Sequence, residues 1–244
     1  MKRAALAAVL ALTGCGQSGE QQPQAPAPET PAAAQPAPLA IKVAAKPDLA
    51  KCAPLAPIES EGMERKGPLA VPARFEPFAA ADMDHVAVTT LGGAMLCADA
   101  RYHDSARDFS TFAGERFFGY AWFGYEANGF QLFDRAGKGT ALDTGAAPVF
   151  SPSGKRFASA EWSPSGFGAL NAVLVMDVLP DTIREAARFE QLPELSANWR
   201  IERWRGEDCF ELSAEIDEAR QRFTMRRGPG GWAFAPAPQG CPAG

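Results

Sequence analysis

Residues and motifs that enzymes commonly need for their chemistry are scarce in this chain. It has only two histidines among 244 residues, and no Gly-x-Ser-x-Gly, Walker or dinucleotide-binding pattern occurs in it. Those patterns place a nucleophilic serine on a sharp turn or surround a phosphate with backbone N–H groups. Their absence argues against the common hydrolase and nucleotide-binding classes. We therefore predict a protein that is not an enzyme and that needs no cofactor.

A surplus of basic residues is also lacking. The chain carries 24 Lys and Arg residues against 29 Asp and Glu residues. Removal of Lys2 and Arg3 with a signal peptide would leave a formal charge of −7. Nucleic-acid binding depends on a basic surface that contacts phosphates, so no nucleic-acid partner is expected.

The N-terminus has the pattern of an export signal. Lys2 and Arg3 precede an apolar run over 4–12. This run is shorter than the roughly 20 residues that cross a bilayer, and it is typical of a cleavable signal peptide, here predicted over 1–14.

The end of this signal, Leu12-Thr13-Gly14-Cys15, resembles the lipobox of bacterial lipoproteins. The resemblance implies that Cys15 becomes the lipidated N-terminus, carrying acyl chains such as palmitate, with the lipid bilayer as a partner. Two acyl chains suffice for stable anchoring. Gly16, where Asp would signal retention in the inner membrane, implies an outer-membrane protein of the cell envelope that faces the periplasm. The alternative is an ordinary secretory signal in which Cys15 has no role.

Residues 15–50 have the composition of a linker. Positions 16–50 contain seven Pro, ten Ala and five Gln, with few large apolar side chains. Such a segment buries too little surface to offset the entropy lost on ordering, so we predict a disordered spacer. The folded domain is then expected over 51–244, long enough for one domain with a substantial core.

Four cysteines remain after Cys15 is assigned to lipid. Cys52, Cys97, Cys209 and Cys241 form no Cys-x-x-Cys pair, and an even number in an oxidising compartment predicts two disulfides. Three pairings are open. We favour Cys52–Cys97 and Cys209–Cys241, because each would fasten one end of the domain to its body.

Strand patterns dominate the domain. Gly92-Gly93 separates two short apolar runs, 85–90 and 94–97, and predicts a hairpin. Apolar side chains on both faces of 116–123 indicate a strand covered on both sides. Asn128-Gly129 predicts a tight turn before a strand at 130–134. Further strands are predicted at 148–151, 155–160, 172–178, 199–204, 209–212, 221–225 and 232–234.

The segment 181–192 allows two interpretations. Its residues favour helix, and Thr182 with Glu185 matches a capping box. Its position between strands also suits a solvent-facing strand.

One unit resembles a blade of a TolB-type or WD-repeat β-propeller. The phrase Phe150-Ser151-Pro152-Ser153-Gly154-Lys155-Arg156, with the strand at 172–178 that ends in Asp177-Val178, carries the resemblance. Ser153 stands where that family has Asp. The resemblance implies blades of about 40–45 residues, of which this domain would hold at most four. We predict an all-β antiparallel meander with propeller-like blades, open or incomplete, and a β-sandwich as the alternative.

Two groups of residues are candidates for a functional site. His85 and His103, with Asp84 and Asp104 beside them, form the densest set of potential metal ligands. Their spacing matches no metal motif, and aspartates are common in turns, so we predict no metal site.

The second group is rich in Trp and Arg, the residue types that dominate contact energies in protein interfaces. It comprises Trp199, Arg200, Arg203, Trp204 and Arg205, followed by Arg220, Arg222, Arg226 and Arg227. These side chains allow two interpretations: a binding surface for an envelope protein or polysaccharide, and core tryptophans beside a solvated arginine face. We favour the second for the tryptophans and keep the surface as a candidate binding site.

Two functions follow from these observations. The first is an envelope lipoprotein whose β domain serves as a non-enzymatic binding or scaffold module. The alternative is a metal-assisted envelope hydrolase that uses His85, His103 and nearby aspartates.

Overall fold

The computed structural model describes residues 45–57, 67–163, 166–192, 196–236 and 240–241. The predicted signal peptide 1–14, Cys15 and the linker as far as residue 44 lie outside the described residues. Within the described ranges, no helix has the length and apolar character needed to cross a membrane.

The described residues form fifteen strands, arranged in four antiparallel sheets. Each sheet is a meander of consecutive strands, which confirms the predicted all-β fold built from antiparallel meanders. The first sheet contains β1 (Ala79–Ala81), β2 (His85–Thr89) and β3 (Met95–Asp99). The second contains β4 (Ser105–Phe112), β5 (Phe117–Gly124), β6 (Ala127–Asp134) and β7 (Thr140–Asp143).

The third and fourth sheets repeat this plan. The third contains β8 (Val149–Phe150), β9 (Arg156–Glu161), β10 (Ala172–Val178) and β11 (Ile183–Phe189). The fourth contains β12 (Ser196–Trp204), β13 (Cys209–Ile216), β14 (Ala219–Gly228) and β15 (Gly231–Pro236). None of the four sheets closes on itself.

Three clusters of buried side chains join sheets that follow one another in the chain. Val86 and Val88 of the first sheet pack with Phe118 of the second. Phe117, the next residue towards the N-terminus, packs on the opposite face with the third sheet. Strand β5 is therefore covered on both sides, as its sequence predicts. A third cluster joins the third and fourth sheets and includes Val175 and Phe210.

The sequence and the structure differ at the hairpin between β5 and β6. The turn is formed by Tyr125 and Glu126, because Gly124 pairs with Ala127, and the predicted Asn128-Gly129 turn is wrong. Gly129 lies inside β6, where a Cβ atom would stand 2.6 Å from Ala169 Cβ and 2.8 Å from the Trp122 ring. Glycine is required there for close packing and not for a turn.

Segment 181–192, which the sequence left between helix and strand, contains strand β11. Ile183–Phe189 pairs along β10, with a bulge opposite Val175 and Met176. The edge of β10 supplies backbone partners for this segment, and that pairing outweighs its local helix preference.

The end of the predicted linker is ordered. Leu49–Lys51 forms a single 3₁₀ turn, and Thr89 Oγ1 donates a hydrogen bond of 2.6 Å to the carbonyl oxygen of Ala45. Residues 45–50 therefore belong to the folded domain, and its boundary lies before residue 51. Composition misses this boundary because the segment uses backbone carbonyls, which any residue supplies, to bind the sheet.

Two disulfides fasten terminal segments to the sheets. Cys52–Cys97 joins segment 45–57 to β3, and Cys209–Cys241 joins the chain beyond β15 to β13. These are the pairings favoured from the sequence. The first bond lies on what we call the capped face: His85, Ala87, Thr89 and Cys97, on the side of the first sheet opposite Val86 and Val88.

Candidate functional site

Trp199 and Trp204 of the predicted binding patch are core residues. Trp199 lies 5.3 Å from Phe223 between ring centroids, and Trp204 lies 4.8 Å from Phe210. Both indoles are more than nine-tenths buried. Trp204 Nε1 also donates a hydrogen bond of 2.9 Å to the Val149 carbonyl oxygen in the third sheet. Both rings fill the space between two sheets, as the interpretation with core tryptophans beside solvated arginines predicts.

The arginines of the same patch are exposed. Arg203 Nε lies 2.7 Å from one carboxylate oxygen of Glu211, and Arg205 Nε lies 2.9 Å from the other. The hydrogen bond from Arg203 is the largest influence on Glu211, and with that from Arg205 it holds the pKa of Glu211 below its ordinary value in spite of partial burial. Arg200 is exposed on the same strand.

These arginines belong to a continuous polar surface, which we call the charged face. It is the side of the fourth sheet opposite the core residues Phe210, Leu212 and Ala214. The central strand β13 contributes alternate polar residues, and its neighbours contribute cations in register with them. The charged face comprises Arg200, Arg203, Glu211, Ser213, Glu215, Arg220 and Arg222. Ser213 and Thr224, which share this side at its centre, are buried.

A groove of about 590 Å³ runs over the charged face. Its lining includes Glu202, Arg203, Glu211, Arg220, Arg222 and Gly240. Gly240 precedes Cys241, so the Cys209–Cys241 disulfide holds the C-terminal segment beside the groove. Strand alternation explains the polar part of this lining, because Glu211, Arg220 and Arg222 lie at every second position of β13 and β14. The core residues Leu212 and Phe223 also border the groove.

The charges of the groove are partly compensated. Arg220 Nη1 lies 3.2 Å from Glu202 Oε1, which also accepts a hydrogen bond from Ser213 Oγ. Within the described part of the chain, Arg200 and Arg222 make no ion pair or hydrogen bond through their side chains. Arg222 lines the groove, which therefore offers its guanidinium group to a further acceptor.

The two histidines serve separate structural contacts. His85 Nε2 lies 3.1 Å from the Ala53 carbonyl oxygen on the capped face. Its Nδ1 lies 3.4 Å from Asp82 Oδ1 without the geometry of a hydrogen bond. His103 Nδ1 lies 3.1 Å from the Tyr120 hydroxyl, and its ring stacks on Trp122 at 4.3 Å.

The two imidazoles therefore have different partners, and the side chains of Asp84 and Asp104 are exposed. Among the residues that the structure describes, no group of three or more His, Cys, Asp or Glu side chains is arranged to hold a metal ion.

Sequence reasoning did not single out two buried carboxylates, Glu161 and Asp143. Glu161 Oε2 accepts a hydrogen bond of 2.7 Å from the Leu170 backbone N–H, which helps to fix the loop between β9 and β10. Burial raises the pKa of Glu161 more than its backbone hydrogen bonds lower it, and the charge of Asp143 raises it further. Burial likewise raises the pKa of Asp143, although Trp122 Nε1 donates a 2.7 Å hydrogen bond to it.

Burial of such carboxylates is difficult to predict from a single sequence. Glu161 ends the apolar strand β9, which is the one local sign that its carboxylate is buried. Carboxylates with raised pKa values are typical of functional sites, but these two are engaged in holding a loop and an indole.

Comparison of the chain with protein-family models and with curated protein sequences finds no match. The function proposed below therefore depends on the geometry of the charged face and on the N-terminal sequence.

Proposed function

We propose that this protein is a bacterial envelope lipoprotein, anchored through an acylated Cys15, whose β domain binds another envelope protein through the charged face. The lipobox-like sequence supports the anchor, and the Ala/Pro/Gln-rich stretch after it supports a spacer between the lipid and the domain. The two disulfides agree with an oxidising compartment outside the cytoplasm. This role involves no catalysis and no cofactor.

The observation that carries the proposal is the groove of the charged face, whose lining includes Arg222, a residue with no ion pair among the described residues. Arginine is enriched in protein interfaces, and its planar guanidinium binds carboxylates through two parallel hydrogen bonds. Glu202 and Glu211 give the same groove acceptors for cations. Because both signs are present, charge complementarity favours a protein partner with mixed charges over a uniformly anionic polysaccharide.

The arrangement of the sheets is part of the proposal. Four meanders of three or four strands, each packed on the next, are consistent with an open array of propeller-like blades. In such an open array, one side of the fourth sheet does not pack on another sheet, and the charged face is that side. Gly154, at φ +68°, forms the β8–β9 turn within the blade-like phrase.

Site-specific crosslinking in the bacterial envelope tests this proposal. A photoreactive residue at Ala233, which is exposed on the neighbouring strand β15, should crosslink the full chain to a discrete protein. The charge-reversal pair Arg203→Glu and Arg222→Glu should abolish that crosslink. The matched pair Arg107→Glu and Lys138→Glu, at exposed positions of the second sheet region, should retain it.

Two further outcomes complete this test. A crosslink that survives reversal of Arg203 and Arg222, or one formed only with carbohydrate, would contradict a protein partner at the charged face. Cys15→Ala should release the chain from membranes, and continued partitioning with membranes would contradict the lipid anchor.

A further inference from the structure

A second, more strongly cationic site lies at the ends of the strands. A cleft of about 600 Å³ opens where the β8–β9 turn, the β10–β11 turn and the residue before β5 come together. Its charged lining residues are Arg116, Lys155, Arg156, Asp177, Arg184 and Arg227. Five cations and one carboxylate therefore face the same space, although the chain as a whole is acidic.

Two of these arginines are held rigidly by carboxylates behind them. Arg116 Nε and Nη2 each lie 2.9 Å from an oxygen of Asp134, and Nη2 also donates a 3.0 Å hydrogen bond to the Thr182 carbonyl oxygen. Arg156 Nε lies 2.9 Å from Asp177 Oδ1, and its Nη1 donates to the Glu207 carbonyl oxygen at 2.9 Å and to Asp208 Oδ1 at 3.0 Å. Asp208, outside the lining, also lies 3.6 Å from Arg227 Nη1. Fixed guanidinium groups lose little further freedom when they bind a ligand.

The donors of the cleft are only partly used. A guanidinium has five N–H bonds, and the contacts above leave Nη1 of Arg116 and Nη2 of Arg156 available. Arg184 contributes only Nη2 to a hydrogen bond, and two-thirds of its side chain is exposed. Within the described ranges, the Lys155 ammonium group has no partner.

The one carboxylate in the lining of the cleft, Asp177, has both oxygens engaged. Asp177 Oδ1 is bound by Arg156 and Oδ2 by Arg184. Burial acts to raise the pKa of Asp177, but the hydrogen bonds from Arg184 and Arg156 outweigh it, so the pKa lies below its ordinary value and the carboxylate stays charged. Free cationic donors without free acceptors define a site for an anion.

We propose that this cleft binds a phosphate monoester group. Several convergent cationic donors match the three acceptor oxygens and the charge near −2 of such a group at neutral pH. Arginine also meets phosphate through paired hydrogen bonds, and Lys155 adds a point charge. The cleft shares no lining residue with the groove of the charged face, so this inference does not depend on the proposed function.

Calorimetric titration of the purified full chain tests the inference. Two probes separate the sources of the phosphate monoester: glycerol 3-phosphate for a soluble anion, and dihexanoyl phosphatidic acid for a lipid headgroup. Dihexanoyl phosphatidylcholine, whose phosphate is a diester beside a cation, is the negative control. The pair Lys155→Ala and Arg184→Ala should weaken binding about tenfold or more, because two charge-assisted contacts are lost.

The matched control is the pair Arg200→Ala and Arg222→Ala, which removes the same charge from the charged face. It should leave phosphate binding within about twofold of the unchanged protein, and thermal melts should show that both variants fold. Binding of either phosphate probe with this selectivity supports the cleft and identifies its source. No binding of either probe, or an equal loss with both pairs, would overturn the inference without touching the crosslinking test above.

Discussion

The outer sides of the first and last sheets differ sharply, although both carry a disulfide. On the capped face, His85, Ala87 and Thr89 are all buried, and segment 45–57 lies against them. On the charged face, the corresponding alternate positions carry Arg200, Arg203 and Arg222, which are exposed. In both sheets the disulfide attaches a terminal segment to the outer side.

The difference shows that a sheet face covered by another segment carries small or hydrogen-bonded side chains, whereas an exposed face can carry charged ones. Thr89 Oγ1 and His85 Nε2 bind backbone carbonyl oxygens of the covering segment, so few polar groups on the capped face are left without partners. Charged side chains such as Arg222 would lose hydration under a similar cover, and they would need partners of opposite charge. A partner of the charged face should therefore bring its own charges.

Removal of a disulfide should lower the free energy of unfolding more than any of the other substitutions described below. The sequence separations of 45 and 32 residues predict that each bond stabilises the fold by about 4 kcal/mol through loop closure. Cys52→Ser with Cys97→Ser should cost more than Cys209→Ser with Cys241→Ser, because release of segment 45–57 also exposes the capped face. Urea unfolding of the full chain measures both losses.

A fluorescent dye that binds exposed apolar surface provides the control for this first prediction. The dye should bind the Cys52/Cys97 double variant under native conditions and should not bind the Cys209/Cys241 double variant. Equal losses of stability, with no dye binding in either variant, would mean that segment 45–57 does not cover the first sheet.

Thr89→Val should cause the next largest loss in the free energy of unfolding. The change keeps the shape of the side chain but leaves the Ala45 carbonyl oxygen without the Thr89 donor, at a cost of about 1 kcal/mol in the free energy of unfolding. Thr111→Val in β4 is a matched control, since no side-chain hydrogen bond of Thr111 is found in the described part of the chain. A loss at Thr89 no greater than at Thr111 would contradict a specific contact with segment 45–57.

Much of the fold could be predicted from local patterns. Strand β10 lies over the predicted 172–178, and the hairpin at Gly92-Gly93 and the covered strand β5 are also confirmed. Strand β1 was missed because its Ala79–Ala81 sequence has no strong preference for strand, and pairing with β2 determines it. Strand β4 was missed because its sequence is mostly polar, and Asp108 interrupts its pairing at φ 56°.

The candidate site was predicted only in part, for a reason visible in β12. Trp199 and Trp204 are an odd number of positions apart, so a regular strand would place them on opposite sides. Shifts of register after Ala197 and after Ile201 return both rings to the core and leave the arginines outside. The phosphate cleft could not be predicted, because its cations meet only when three sheets are packed together.

Acid should affect the two faces differently. On the capped face, burial acts to raise the pKa of Asp99, but hydrogen bonds from Arg101 outweigh it and hold the pKa below its ordinary value. Arg101 also donates a hydrogen bond to the Ala56 carbonyl oxygen in the covering segment. A lowered pKa means that the stabilisation by Asp99 is complete above about pH 4 and is lost as the pH falls through the folded-state value.

Hydrogen exchange measured as a function of pH tests this difference. The protection of the segment 45–57 amides, expressed relative to the intrinsic exchange rate at each pH, should fall as the pH falls through the pKa of Asp99. Asp99→Asn should show that lower protection already at neutral pH. Glu211, whose pKa is also lowered, is the control on the charged face. Because Glu211 holds only exposed arginines, Glu211→Gln should leave the exchange of its own sheet nearly unchanged. An equal loss of amide protection in both sheets at low pH would mean that Asp99 and Glu211 do not differ in their structural role.

Arg222→Gln should have the smallest effect of all on stability. Arg222 is exposed and has no ion-pair partner among the described residues, and such surface substitutions usually change the free energy of unfolding by less than about 0.5 kcal/mol. The same substitution at Arg200, which is also exposed and has no ion pair in the described ranges, is the matched control. A loss above about 1 kcal/mol at Arg222 would mean that another part of the chain covers the charged face in the isolated protein. The last sheet would then resemble the first, and its groove would be closed to a partner.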